Sequence, residues 1–215
     1  EYSNGYYDRA RKDFYGFGTV KTTFAYGNCQ EDVYYNREYY SKGCINTSTV
    51  KTADGAILSE STTTLQDAPY PLPKKEESRI YEKSSGTGCY IATATSYKYD
   101  LRYGNCIKIT QVFGDGQKLS ADITYDNTNT TDYIVGLPVD IRVYDSNGNL
   151  LRHRSGDYDD LGQLKELRQY FDAYNYSVHT LKYDSYGNIS SVTDSHGASV
   201  AYSYDEIENM FVTDI

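Results

Sequence analysis

Apolar and polar residues alternate with a period of two along much of this chain. The clearest case is residues 198–204, where Ala198, Val200, Tyr202 and Tyr204 alternate with small polar or apolar residues. A period of two is typical of a β-strand with one buried face. Similar segments, each bounded by Gly, Asn or Asp, predict further strands at residues 19–26, 107–113, 120–125 and 139–144. The pattern therefore predicts an all-β fold of antiparallel strands.

A proline-rich and charged segment interrupts this pattern at residues 66–80. It holds three of the four prolines of the chain, and proline cannot donate a hydrogen bond to a sheet. We expect a loop or linker there. It divides the chain into a Tyr-rich β region at 1–65 and a second β region at 81–215, with its clearest repeats at 139–205.

Residues 161–171 are ambiguous. Leu161, Leu164, Leu167 and Phe171 lie at roughly helical spacing, which favours a short helix. The repeats on both sides of this segment favour a strand, and a strand is the prediction adopted here.

Two segments of the C-terminal third are similar position by position. Both read YDxxGN followed by a predicted strand, and the second continues through DxxG to YxYD; residues 158–162 form a degenerate copy. The repeat positions are Tyr144, Asp145, Gly148 and Asn149 in the first copy, and Tyr183, Asp184, Gly187, Asn188, Asp194, Gly197, Tyr202, Tyr204 and Asp205 in the second.

The chemistry of this unit predicts a hairpin turn. The Asp carboxylate is expected to accept hydrogen bonds from the N–H groups two and three residues later. The Gly is expected to take the positive φ that a three-residue turn with a bulge requires. A single hairpin of this size cannot bury its own face, so the units are expected to stack into an extended sheet.

This unit resembles the YD repeats of the Rhs family, which includes the B and C components of insecticidal toxin complexes (Tc toxins) and the teneurins. Residues 5–9 (GYYDR) and 13–20 (DFYGFGTV) are similar to the start of the shell-forming region of Tc B components, with Tyr15 where that family usually has arginine. Residues 123–139 are similar to the segment that joins this region to the first YD repeats of the family. The resemblance implies curved sheets of stacked hairpins in a hollow β-shell that encloses a toxic domain. It does not extend to residues 28–105, which we interpret as an insertion.

The composition favours thin sheets rather than a thick apolar core. The chain has 26 tyrosines, no tryptophan and a single methionine. Tyrosine suits positions where the ring is buried and the hydroxyl stays in water. The formal net charge of −9 gives no electrostatic basis for binding nucleic acid or an anionic membrane. No apolar stretch is long enough to cross a bilayer, and the strand-like start of the sequence suggests a fragment of a longer protein.

The four cysteines fall into two local pairs, Cys29 with Cys44 and Cys89 with Cys106. Turn residues lie between the members of each pair. Two disulfides that staple hairpins are one interpretation, and they imply an oxidising compartment. Four reduced thiols are the other.

No spacing of residues indicates an enzyme, a metal site or a cofactor site. The histidines His153, His179 and His196 lack partners at metal-ligand spacing and are expected to be exposed. The acidic cluster Asp157, Asp159 and Asp160 lacks the spacing of a calcium loop. We therefore expect no catalytic, metal-binding or cofactor-binding residues.

Three functions are compatible with these observations. The first is a structural segment of a secreted or cell-surface toxin shell, whose partners are the remainder of the same protein or a partner toxin subunit. The second is a carbohydrate-binding or adhesion module that uses exposed tyrosines to bind a glycan. The third is a hydrolase whose carboxylates are distant in sequence. The first predicts only a shallow concavity on the sheet face, lined by tyrosine hydroxyls and threonine.

Overall fold

The computed structural model describes residues 1–82 and 89–215, and nearly all of the regular secondary structure in these residues is antiparallel β-strand. The first seven strands are β1 (Tyr2–Asp8), β2 (Asp13–Thr23), β3 (Cys29–Tyr34), β4 (Ile45–Lys51), β5 (Ile57–Leu65), β6 (Pro73–Tyr81) and β7 (Tyr90–Asp100). A short 3₁₀ helix at Ala25–Gly27 lies between β2 and β3. No helix in the described ranges is long and apolar enough to cross a membrane.

The remaining strands are β8 (Asn105–Phe113), β9 (Lys118–Asp126), β10 (Leu137–Tyr144), β11 (Leu150–Tyr158), β12 (Leu164–Tyr170), β13 (Tyr176–Tyr183), β14 (Ile189–Thr193), β15 (Ser199–Ala201), β16 (Ser203–Tyr204) and β17 (Val212–Asp214). Strands β1 to β15 pair in chain order, and β16 pairs with β17 in a separate small sheet. The predicted all-β fold of antiparallel hairpins is thus confirmed. The ambiguous segment around Leu164 is a strand, β12, as predicted.

Contacts divide the chain into two compact units. The first comprises residues 1–104 and 109–119, and the second comprises residues 105–108 and 120–215. Within the segment 66–80, which was expected to be a loop or linker, β6 begins at Pro73. Proline is tolerated at the first residue of a strand, where its missing N–H breaks no ladder bond.

One predicted strand is interrupted. Residues 198–204 were expected to be continuous, but β15 ends at Ala201 and β16 begins at Ser203. The N–H of the intervening Tyr202 donates to the carbonyl of Ser190 at 3.0 Å, while β16 turns to pair with β17. The period-two pattern is therefore shared between two short strands.

The predicted disulfides are wrong, because all four cysteines are free thiols. Cys29 lies opposite Lys51 at one end of the β3–β4 pair, whereas the carbonyl of Cys44 accepts from Tyr35 at the other end. Six strand residues span on the order of 20 Å, far beyond the roughly 7 Å limit between Cα atoms of a disulfide. Cys89 precedes the eleven-residue β7, and Cys106 lies beyond the turn that follows it.

The part of the chain that the structure describes has almost no buried apolar core. Tyr15, 4% exposed, is the one apolar side chain that is buried among residues 1–82 and 89–215. Stability must therefore depend on the ladder of main-chain hydrogen bonds, on the half-buried side chains of the sheet faces, and on the contacts that close each hairpin.

Candidate interaction surface

The repeat turns are built by their aspartates and glycines. The Asp145 carboxylate accepts from the N–H groups of Asn147 and Asn149, both at 2.8 Å, while its main-chain carbonyl accepts from Gly148 at 3.2 Å. The prediction of bonds two and three residues on is therefore partly wrong, since the carboxylate binds two and four residues on. Gly148 has φ of 83° and Gly187 has φ of 90°, as the bulged turn requires.

The same turn occurs at three places outside the YDxxGN repeats. In each of them the first residue donates its N–H to the carbonyl four positions later and accepts at its carbonyl from the N–H three positions later, as Asp145 does. The first residues are Phe24, Thr52 and Phe113. At Thr52 the hydroxyl takes the role of the carboxylate and accepts from the Ala56 N–H at 3.0 Å. Each of these turns has a positive-φ glycine at its fourth position, so the glycine is the signal that identifies them.

A wider repeat is visible in the Tyr-Asp dipeptides. There are seven, all in described residues and all where a strand ends: residues 7–8, 99–100, 125–126, 144–145, 158–159, 183–184 and 204–205. Every one of these aspartates accepts a hydrogen bond from a main-chain N–H two or three residues later. The Asp thus shapes the chain just after the strand.

The tyrosines of these dipeptides close hairpins. In five of the seven, the hydroxyl donates to a main-chain carbonyl at 2.8 to 3.2 Å, and the pairs are Tyr99 to Pro73, Tyr125 to Cys106, Tyr158 to Pro138, Tyr183 to Leu164 and Tyr204 to Ile189. Each acceptor is the first or second residue of an earlier strand. The bond therefore ties the end of one strand to the beginning of another. In the first four pairs the two strands form one hairpin and the bond lies at its open end, whereas Tyr204 joins β16 to β14. We call these five residues the clamp tyrosines.

Burial raises the pKa of three clamp tyrosines, Tyr125, Tyr158 and Tyr183. Each keeps its proton to donate to the carbonyl. We expect Tyr183→Phe to lower the free energy of unfolding by about 0.5 to 1.5 kcal/mol, because one partly buried hydrogen bond is lost. Urea denaturation measures this. Tyr186→Phe, at an exposed tyrosine of the next turn, is the matched control and should unfold as the unmodified chain does.

The turn carboxylates make stability dependent on pH. Hydrogen bonds from the side chain of Asn149 and from main-chain N–H groups lower the pKa of Asp145, and main-chain N–H groups of Phe211 and Glu208 lower the pKa of Asp205 to about 2. A carboxylate with a lowered folded pKa stabilises above its ordinary pKa of 3.8, and that stabilisation is lost as the pH falls toward the folded pKa.

Tm is therefore expected to hold from neutral pH to about pH 5 and to fall steeply below about pH 4. Asp205→Asn should have a lower Tm at neutral pH, with its curve converging on that of the unmodified chain near the folded pKa. Thermal unfolding followed by circular dichroism over this range measures both curves. Curves that stay parallel down to the lowest pH would show that the carboxylate charge has no role.

The β1–β2 hairpin presents an exposed aromatic patch. Tyr15 and Gly16 together lie opposite Tyr6, and this bulge, with Gly16 at φ of 90°, interrupts the alternation of β2. Phe14 and Phe17 consequently meet on one face, with ring centroids 5.4 Å apart, and the ring of Tyr2 lies 5.1 Å from that of Phe17. We call these three side chains the hairpin aromatic patch. Tyr2 is 68% exposed, Phe14 is 51% exposed and Phe17 is 41% exposed.

Tyr15 lies on the opposite side of the bulge. Its hydroxyl donates to the Asp8 carboxylate at 2.7 Å, which is the main cause of the lowered pKa of Asp8. Its ring packs edge-on against Tyr6 and Tyr39, and the Lys42 ammonium lies 4.8 Å from the ring centroid. The position at which the Tc family usually has arginine is thus a buried tyrosine in this chain. The guanidinium of Arg11 lies 3.4 Å from the hydroxyl of this tyrosine.

Next to the patch, β1 pairs only with β2 among the residues that the structure describes, and we call its other side the open edge. Glu1 and Lys21 exchange two main-chain hydrogen bonds at 2.7 and 2.8 Å, and Tyr2 pairs with Val20. In an antiparallel pair, alternate residues bond across the ladder, so the N–H and carbonyl of Tyr2 point away from β2. Such an edge can pair with a further strand.

His153 is not exposed, contrary to the sequence prediction. Its Nε2 lies 2.6 Å from Asp140 Oδ2, its ring stacks on Tyr170 with centroids 3.9 Å apart, and its side chain is 15% exposed. Asp140 was missed because it lies on the neighbouring strand, near His153 only through the β10–β11 register. Among residues 1–82 and 89–215, no group of three His, Cys, Asp or Glu side chains converges as metal ligands.

Comparison with known proteins relates the N-terminal part of the chain to one family. Residues 1–48 match the family described as the insecticide toxin TcdB middle/N-terminal region. This segment contains the hairpin aromatic patch and the open edge of β1. No curated protein matches the chain in sequence.

Two solved structures are similar. The crystal structure of TcdB2-TccC3 matches with a TM-score of 0.60 at 11% identity, over 95% of this chain and 20% of that chain. A porin-like protein from Bacteroides uniformis matches with a TM-score of 0.42 at 12% identity, over 91% of this chain and 84% of that one, and at that score supports no inference. The chain therefore has the fold of a region of TcdB2-TccC3 and spans a fifth of the length of that chain. Its resemblance to the shell region of Tc B components is confirmed.

Proposed function

We propose that this chain is a structural segment of a secreted toxin-complex shell that encloses or carries a toxin domain. The observation that carries the proposal is the succession of antiparallel hairpins that pair in chain order, of which those from β6 to β13 have a clamp tyrosine at the open end. Such a sheet presents a continuous wall of main-chain hydrogen bonds. The family match at residues 1–48 and the fold shared with TcdB2-TccC3 support the same role.

The exposed surface of the β1–β2 hairpin indicates what this chain binds within the shell. The open edge at Tyr2 and the adjacent hairpin aromatic patch suit an adjoining strand with apolar side chains, supplied by another part of the same shell protein. A partner toxin subunit is the source of the enclosed domain. Because the wall acts by excluding solvent and proteases, it needs no catalytic residue of its own.

The proposal is tested by protease protection in the assembled shell protein that contains this chain and its toxin domain. We expect the toxin domain to survive digestion with proteinase K in the unmodified assembly. Tyr2→Pro removes an N–H that faces the open edge, and it should weaken pairing there and expose the toxin domain to cleavage. Tyr26→Phe, at a 97% exposed turn residue, is the control and should protect fully.

A toxin domain that is cleaved equally fast in every variant and in the unmodified assembly would contradict the proposal. A second measurement on the same samples distinguishes a loss of assembly from a loss of folding. Circular dichroism should show an unchanged strand signal for Tyr2→Pro, because the missing N–H makes no bond to β2.

A further inference from the structure

A cavity of about 460 Å³ lies in the first unit, at the ends of strands β3 to β6. It is formed by two loops, residues 35–41 and 65–71. Both loops are held by main-chain hydrogen bonds, from Tyr35 to the Cys44 carbonyl at 2.9 Å and from Gln66 to the Leu72 carbonyl at 2.7 Å. The prediction of a shallow concavity on a sheet face does not describe this cavity, which lies between loops.

Three tyrosines line the cavity, and two of them are fixed by their hydroxyls. Tyr35 donates to the Thr63 carbonyl at 2.9 Å and accepts from Asn46 at 2.7 Å, while Tyr70 donates to the Leu101 carbonyl at 2.7 Å. Those hydroxyls are already engaged in hydrogen bonds, so the rings are the part of these two side chains that can contribute to binding. Tyr40, the third, is 57% exposed. Pro69 and Pro71 stiffen the loop that carries Tyr70.

The charges of the lining have one sign. Glu38 and Asp67 are its ionisable acids, and no Lys, Arg or His is among the lining residues. Neither carboxylate forms an ion pair or a side-chain hydrogen bond with any residue in the described ranges. The nearest cations in sequence are engaged elsewhere, since Arg37 lies over the Tyr6 ring and Lys42 pairs with Asp13.

We propose that this cavity binds an alkylammonium group. The negative faces of tyrosine rings attract such a cation, and two carboxylates that lack partners complement its charge. The two carboxylates would repel an anionic ligand. The volume is within the range of small-molecule sites, and it exceeds the size of a trimethylammonium or a lysine headgroup. The group can belong to a small molecule of the choline type or to a lysine side chain, and the chemistry of recognition is the same.

The experiment compares choline with its uncharged isostere 3,3-dimethyl-1-butanol. Titration of the intact chain, followed by NMR chemical shifts, should show saturable binding of choline with the isostere at least about tenfold weaker, because only the charge differs. Nα-acetyl-lysine amide is titrated in parallel, and whichever of the two cations binds more tightly identifies the source. Equal binding of choline and the isostere would overturn the proposal in favour of a purely apolar site.

Substitutions of lining residues test whether choline binds in this cavity. Glu38→Gln and Asp67→Asn should each weaken choline binding by about threefold, and the double variant by about tenfold, with Tm unchanged because neither side chain has a structural partner. Tyr40→Leu keeps apolar area and removes the ring, and it should also weaken binding. Glu206→Gln, at an exposed acid outside the cavity, is the matched control. Unaltered affinity in the double variant, or displacement of choline by methyl glucoside at equal concentration, would contradict an ammonium site.

Discussion

Replacement of Tyr15 by alanine is expected to lower Tm by on the order of 10 °C, the largest effect of any single substitution proposed here. The side chain is 4% exposed, and its loss opens a cavity between Tyr6 and Tyr39. It also leaves the Asp8 carboxylate without the hydroxyl that donates to it at 2.7 Å. Differential scanning calorimetry measures the change.

Two controls separate these contributions. Tyr15→Phe keeps the ring and removes only the hydroxyl, so it should produce a small part of the shift. Tyr7→Ala removes a tyrosine that is 53% exposed from the same hairpin and should leave Tm nearly unchanged. If Tyr15→Ala melts at the same temperature as the unmodified chain, the β1–β2 hairpin unfolds independently of the rest.

The substitution Gly187→Val is expected to destabilise by about 1 to 3 kcal/mol, because a β-branched residue is strained at positive φ. Gly187 has φ of 90°, and a Cβ there would also lie 3.3 Å from the Gln163 amide nitrogen. Urea denaturation reports the loss of stability. Hydrogen exchange of the Asn188 amide, which donates to Asp184, reports whether the turn itself opens.

The control for this substitution is Tyr186→Val, at the preceding position of the same turn. Tyr186 is 70% exposed and has no positive φ, so valine fits without strain. Equal stability of the two valine variants would show that the bulged turn tolerates any residue at its fourth position.

Local features were predictable from the sequence because their causes are local. The Gly148 and Gly187 turns depend on residues within five positions, and the strands depend on alternation over a few residues. The turn at Thr52 differs from the repeat turns because a threonine hydroxyl replaces the carboxylate, and Gly55 is its signal in the sequence.

Features that depend on register were not predictable. The hydroxyl of Tyr183 meets Leu164, and His153 meets Asp140, only after neighbouring strands have paired. The same register separates Cys29 from Cys44, which the sequence spacing had placed together. The cavity at Tyr35 and Tyr70 is formed by two loops whose tyrosines are 35 residues apart in the sequence. These loops meet only because strands β3 to β6 are neighbours in the sheet.

The clamp tyrosines also bear on how such a chain can change in length. Each clamp joins only strands that are close in order, and each Asp acts on its own turn, so no hairpin depends on a distant one. A duplicated hairpin would bring its own Tyr-Asp dipeptide and its own closure, without any new fitting elsewhere in the sheet. Gain or loss of whole hairpins is therefore an accessible evolutionary step.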